Sequence, residues 1–189
     1  MGDQDKKSVN LASYNCDWYD PGASLYKRII WYITSAVFFN SSLLSCSKLK
    51  CILLRLFGAK VGTNVVIKPL VRIKYPWNLI VGDNVWIGEG VWIDNLAAVD
   101  IGNHVCISQD AYILTGNHDY KDRSFGLLVN GITINDGVWL CARTVTCPGV
   151  TVATNTILTT GSILPQSTEA NGIYRGNPAK YIRVRKFNK

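Results

Sequence analysis

The stretch "IVGDNVWIGEGVWI" (residues 80–93) decides the fold. Its aliphatic residues Val81, Ile87 and Ile93 stand six apart, with glycine following two of them. A spacing of six is not helical and is longer than simple strand alternation. It fits short strands joined by tight turns, each unit sending one aliphatic side chain into a shared core. The series extends in both directions. It begins at Val61, Ile67 and Ile73, steps by eight to Val81, Ile87 and Ile93, and steps by eight again to Ile101, Ile107 and Ile113. After 21 residues it resumes at Ile134, Leu140, Thr146, Val152, Leu158 and Leu164. Only Thr146 departs from Val, Ile or Leu, although those three residues make up little more than a quarter of the chain. The position two before is usually small or aliphatic as well (Val65, Val71, Val85, Val91, Val105, Ala111, Val138, Val150). Three such units make a coil of 18 residues, and stacked coils joined by parallel hydrogen bonds form a β-helix of about five coils.

The eight-residue steps read as two-residue extensions of one corner. The 21-residue step is one unit plus fifteen extra residues, an extruded loop over 114–133 containing "LTGNHDYKDRSFG" (114–126). The expected organisation is an N-terminal extension and helical cap over 1–58, the β-helix over 59–168, and a C-terminal cap with a basic tail over 169–189. Two helices are expected in the first part, roughly 23–38 and 46–57. The second has Leu49, Ile52, Leu53 and Leu56 at helical spacing and Gly58 as a stop. Residues 29–46 carry no charge, but "NSS" interrupts them and their length is at the lower limit for a membrane span. Apolar faces packed on the protein explain them, and peripheral membrane contact is the alternative, supported by Lys27, Arg28, Lys48, Lys50 and Arg55.

The net charge of +7 suits an acidic partner, or solubility alone. The basic residues are dispersed, so no nucleic-acid partner is expected. The six cysteines show no metal-type spacing and the first ten residues are polar, so free thiols in a cytoplasmic protein are expected. With only two histidines, one of them (His104) at an ordinary turn, no metal site is expected. This disfavours a zinc-dependent carbonic anhydrase built on the same repeat.

"VGTNVVIKPLVRI", "IVGDNVWIGEGVWI" and "DIGNHVCISQDAYI" resemble the hexapeptide-repeat acyltransferases, whose fold is a left-handed parallel β-helix. "LLRLFGAKVG", "ILTGNHDYKD" and "YRGNPAKYIR" resemble, within that family, the colanic-acid-type exopolysaccharide O-acetyltransferases and, more distantly, the galactoside and maltose acetyltransferases. The likeness covers roughly residues 25–185. It implies acetyl-CoA as co-substrate, a sugar or lipid-linked saccharide as acceptor, and a homotrimer with its active site between subunits. The location implied is the cytoplasm, at the inner face of the membrane if the acceptor is lipid-linked. An amino-sugar N-acetyltransferase and a non-catalytic β-helix scaffold are the competing readings.

Acetyl transfer from a thioester to an alcohol needs a base for the hydroxyl proton, and His118 in "TGNHDY" matches the family's histidine motif. Register counting sets Asp94 and Asn95 beneath Leu114 and Thr115, beside the loop that carries His118, where they could bind acceptor hydroxyls or orient the imidazole. Asp119 is a candidate to orient His118, and Tyr120 a further acceptor contact. On the cofactor side, Ala142 and Thr160 are 18 residues apart and should stack as a groove for a pantetheine arm, with Trp139 as its wall. Lys180 and Arg183 resemble the family's contacts to the coenzyme phosphates.

Overall fold

A computed structural model describes residues 8–42 and 44–188. The outer ends of the expected 1–58 and 169–189 segments, residues 1–7 and 189, and Leu43 in the uncharged stretch lie outside the described residues. The six-residue spacing is realised as two- and three-residue strands on three faces. The first face runs Lys60–Val61, Leu79–Val81, Val99–Ile101, Ile132–Ile134, Thr151–Val152. The second runs Val66–Ile67, Trp86–Ile87, Cys106–Ile107, Trp139–Leu140, Ile157–Leu158. The third runs Arg72–Ile73, Trp92–Asp94, Tyr112–Leu114, Val145–Thr146, Ile163–Leu164. All neighbours within these three files are parallel. Five complete coils result, and Gly172–Gly176 pairs in parallel with Ile157–Leu158 as the start of a sixth turn.

The repeat positions form the core. Fourteen of the fifteen are buried, Thr146 included, while Val61 at the first open edge is partly exposed. The turn between the first and second faces allows no side chain where coils approach closest. A Cβ on Gly62 would lie 2.7 Å from the backbone of Gly82, and one on Gly82 would lie 2.8 Å from that of Gly102. Beside this glycine file runs a polar ladder. The Thr63 N–H donates to Asp83 Oδ1 (2.6 Å), the Asp83 N–H to Asn103 Oδ1 (2.8 Å) and the Asn103 N–H to Asp136 Oδ1 (2.7 Å). The next residue in each turn, Asn64, Asn84 or His104, takes a left-handed conformation, so His104 is a turn residue here.

Both ends of a β-helix expose unpaired backbone groups. At the first end, helices α1 (Leu25–Phe38) and α2 (Ser47–Leu56) cover them. Ser47 Oγ accepts from the Ile67 N–H, Lys50 Nζ donates to the Lys68 carbonyl, and Arg55 donates to the Val61 and Gly62 carbonyls. Trp31 Nε1 donates to the Ile73 carbonyl at 3.0 Å and holds α1 against the first coil. At the far end, Gly172–Gly176 and Ala179–Val184 form an antiparallel pair. Among the described residues no helix is long and apolar enough to cross a membrane.

Candidate active site

All three long steps fall at the corner between the third and first faces. In the third coil the extra residues form an antiparallel pair, Gly116–His118 with Leu127–Val129, in which His118 faces Leu127. His118 is therefore carried by a strand bonded to its partner, which fixes its backbone. Its ring is fixed as well. Phe125 stacks on the imidazole at 4.3 Å between centroids and 7° between planes, and Tyr14 leans on it at 5.8 Å.

His118 Nδ1 lies 2.9 Å from the Phe125 carbonyl oxygen. A carbonyl only accepts, so in the neutral ring Nδ1 carries the hydrogen and Nε2 keeps a free lone pair. Phe125 presents that carbonyl from a left-handed backbone (φ 56°), which costs a bulky residue on the order of 1–2 kcal/mol. The sequence "KDRSFG" thus serves the histidine. Asp122 and Ser124 close the tight turn: the Ser124 hydroxyl, and then its N–H, hold the exposed Asp122 carboxyl below the usual carboxylate range against a smaller opposing effect of desolvation.

A cavity of about 440 Å³ opens beside His118, lined by Tyr14, Tyr19, Lys74, Tyr75, Asp94 and Leu114 among others. Asp94 sits opposite Leu114 in register, as the coil count requires. It is 8% exposed. Tyr112 donates to Asp94 Oδ2 (3.3 Å), and burial together with the Asp94 charge pushes the Tyr112 phenol up to about 12, so it stays a donor. The Lys74 ammonium stands 3.0 Å from Asp94 Oδ1 but outside hydrogen-bonding geometry, which leaves Oδ1 with a counter-charge and no donor. That oxygen is itself buried, so Asp94 meets the cavity as a carboxylate already paired with Lys74.

Three of the expected residues at this corner have other surroundings within the chain. Asn95, expected beside Asp94 as an acceptor ligand, is fully buried and bonds the backbone of Tyr75 through both ends of its amide (2.9 and 2.6 Å). It holds the extended corner together, and its complete burial keeps the amide away from the cavity. Asp119 does not orient His118. It accepts from the Lys121 N–H in its own turn, and the Phe125 carbonyl has the orienting role instead. Tyr120 is 78% exposed, with Lys121 over its ring, and stays outside the cavity lining.

Tyr14 and Tyr19 come from the N-terminal segment, which no repeat logic places. That segment crosses the loop and the corner through contacts that include the Asn10 N–H to the Arg123 carbonyl, Arg123 Nε to the Ser8 carbonyl, the Tyr19 hydroxyl to the Leu96 carbonyl (2.8 Å), and Trp77 Nε1 to the Pro21 carbonyl. Burial raises the Tyr19 phenol, which therefore remains protonated and donating. The only sequence signal is compositional: three aromatics within Tyr14–Tyr19 in an otherwise polar stretch.

The expected cofactor residues lie elsewhere. Trp139 opposes Ile157, Ile157 opposes Ile173, and Ile173 opposes Arg183, so Trp139 and Arg183 share one row across the second face. Trp139 Nε1 donates to Ser108 Oγ and the ring is half exposed. Ala142 and Thr160 stack one coil apart at the corner between the second and third faces, where the Gly161 N–H donates to the Ala142 carbonyl. Lys180 pairs with Arg175 one row away from that corner. Within one chain, His118 and the Ala142–Thr160 file occupy different corners. Among the described residues no group of three His, Cys, Asp or Glu is placed to hold a metal ion.

Three-faced parallel coils built on aliphatic hexads define a hexapeptide-repeat protein, and a histidine presented at an extended corner is a feature suited to the transferases of that class. The chain belongs to the hexapeptide-repeat acetyltransferase family. It is 40% identical over 164 residues to WcaF of Escherichia coli K12, an acetyltransferase provisionally assigned to colanic acid biosynthesis, with 87% of this chain and 90% of WcaF covered. A solved galactoside acetyltransferase in complex with coenzyme A is similar at a TM-score of 0.74 and 26% identity, covering 84% of this chain and 80% of that one. A hexapeptide-repeat acetyltransferase from Vibrio cholerae, complexed with acetyl coenzyme A, shares the fold at a TM-score of 0.79 and 23% identity, covering 89% and 93%. The fold is the left-handed parallel β-helix of this family. No protein-family model matches the chain.

Proposed function

We propose that the protein transfers the acetyl group of acetyl-CoA to a hydroxyl of a saccharide, free or carried on a lipid, in the synthesis of a surface glycan. His118 is the general base. The observation that carries this reading is the 2.9 Å contact between His118 Nδ1 and the Phe125 carbonyl, which in the neutral ring leaves the lone pair on Nε2 of a histidine that lines the cavity. In the reaction, Nε2 takes the proton as the acceptor oxygen attacks the thioester carbonyl. The tetrahedral intermediate collapses, the C–S bond breaks, and the coenzyme thiolate recovers that proton from the imidazolium. Asp94, at the wall of the same cavity and paired with Lys74, accepts a second hydroxyl of the sugar and orients the ring.

The separation of His118 from Ala142, Thr160 and Trp139 supports a homotrimer, in which the coenzyme contacts of one subunit meet the histidine of the next. Lys180 and Arg183 would hold the coenzyme phosphates there. The donor is a cytoplasmic metabolite, which supports a cytoplasmic location. The test is His118→Ala, assayed by thiol release from acetyl-CoA against a panel of saccharides that includes amino sugars. The expected loss in kcat is a factor of about 10²–10⁴. The KM for acetyl-CoA should stay near its original value, because the coenzyme contacts are separate. Unchanged turnover would remove His118 from the mechanism, and a preference for amine acceptors would replace O-transfer by N-transfer.

A further inference from the structure

Helix α1 has two apolar sides, and the protein covers only one. Trp31 and Ser35 are buried, with Trp31 packed on the rings of Phe39 and Phe57. On the opposite side Tyr26, Ile29, Ile30, Ile33 and Val37 recur at spacings of three and four and form one stripe. Tyr26 is 81% exposed, Ile30 55% and Ile33 58%. Ile29, Ile30, Ile33 and Val37 each leave about half of their surface in water here.

The charge around this helix is equally one-sided. Between Asp20 and Asp83 there is no Asp or Glu, while the same stretch holds nine of the twenty Lys and Arg residues. The rest of the chain has eleven cations against thirteen acids, so the net positive charge originates at this end. Only Lys50 of the nine is buried. Arg28 of α1 and Arg72 and Lys74 of the coils line a cavity of about 510 Å³ under the helix. It shares Lys74, Tyr75 and Asp94 with the cavity at His118.

We propose that α1 is an interfacial helix that seats this end of the protein on an anionic lipid bilayer. The stripe enters the boundary between headgroups and acyl chains, and the surrounding cations meet lipid phosphates. At 14 residues, or about 21 Å, α1 lies in the membrane plane and does not cross it. A second copy of the chain is the poorer occupant. The same end of a copy brings the same positive charge, so pairing end to end is repelled. An anionic bilayer complements the stripe and the charge together. It also brings the acceptor cavity close to lipid-borne substrates.

The docking does not rest on the acetyl-transfer reading, and its test can fail separately. The full chain is sedimented with vesicles of phosphatidylcholine alone and of phosphatidylcholine with phosphatidylglycerol, at low and high salt. An Ile30→Asp/Ile33→Asp variant is run beside it, with circular dichroism for folding and light scattering for subunit number. Acetyl transfer to a soluble saccharide is measured without vesicles. The wild type is expected to bind the anionic vesicles about tenfold more tightly than the neutral ones. Salt should weaken that binding, and the variant should lose it about tenfold with fold, subunit number and soluble-acceptor activity unchanged. Absence of anionic-vesicle binding, equal binding to both vesicles, or a variant that binds like the wild type overturns the proposal. A variant that changes the subunit number instead identifies the stripe as a contact between copies and also overturns it.

Discussion

Thr146 and Thr156 are both fully buried, and both can be changed to valine, but the structure requires opposite outcomes. Thr146 holds an aliphatic position of the repeat, between Ile113 and Leu164 on the third face, and its hydroxyl has no partner. An unpaired buried hydroxyl costs roughly 1–3 kcal/mol, and a methyl group in its place gains contact with the aliphatic file. A net gain of about 1.5 kcal/mol for Thr146→Val is a reasonable central value, allowing for incomplete relaxation. In a chain of this size each kcal/mol moves Tm by about 2–4 °C, so the melt should rise by about 3–6 °C. Thr156 Oγ1 instead contacts Thr168 Oγ1 (3.1 Å) and donates to the Glu169 carbonyl (3.2 Å). Thr156→Val strands the carbonyl and should lower Tm by about 2–6 °C. The assay is thermal unfolding followed by circular dichroism at one protein concentration, since subunit association moves Tm with concentration. Shifts of the same sign in the two variants would refute the assignment of Thr146 as the flaw in the repeat.

Two further perturbations follow. Lys180→Ala/Arg183→Ala should raise the KM for acetyl-CoA about tenfold with little change in kcat. The gap to the wild type should shrink in high salt, and steady-state kinetics with the donor varied reads both effects. Asp83 is held below the usual carboxylate range, first by the Thr63 backbone N–H and then by its hydroxyl. Because the folded pKa lies below the unfolded value of about 3.9, the stabilisation is present above that value and is lost as pH falls through the folded pKa. Melting curves between about pH 2.5 and 7 should therefore show a steeper acid loss in the wild type than in Asp83→Asn. Parallel curves would remove Asp83 from the acid transition.

The fold was legible because a β-helix makes one structural demand many times. Each coil needs an aliphatic residue at Ile87, Ile107, Leu140 and Leu158 for the same reason, so the demand appears as a period. The position of Asp94 was legible for a related reason, since register places residue 94 under residue 114 whatever the loop does. The same register count was blind to side-chain direction, which is why Asn95 looked like a ligand when its amide holds the Tyr75 backbone. The partners of His118 were illegible. Phe125 reaches the imidazole only because its backbone turns left-handed, and Tyr14 only because a segment a hundred residues earlier crosses the loop. Neither contact repeats, so neither leaves a pattern.

The steps of eight, eight and 21 residues all fall at one corner, while the turns at the other two corners keep the strict count. Coils bond only to their immediate neighbours, so length added at that corner leaves the hydrogen-bond register above and below intact. The corner is where such a scaffold can diversify. Loop length and composition can drift there without renegotiating the core, and the cavity beside His118 is formed in part from what has been inserted. Substrate choice and folding thus draw on nearly disjoint sets of residues, which lets one durable frame be re-tooled for new acceptors while its stability is inherited unchanged.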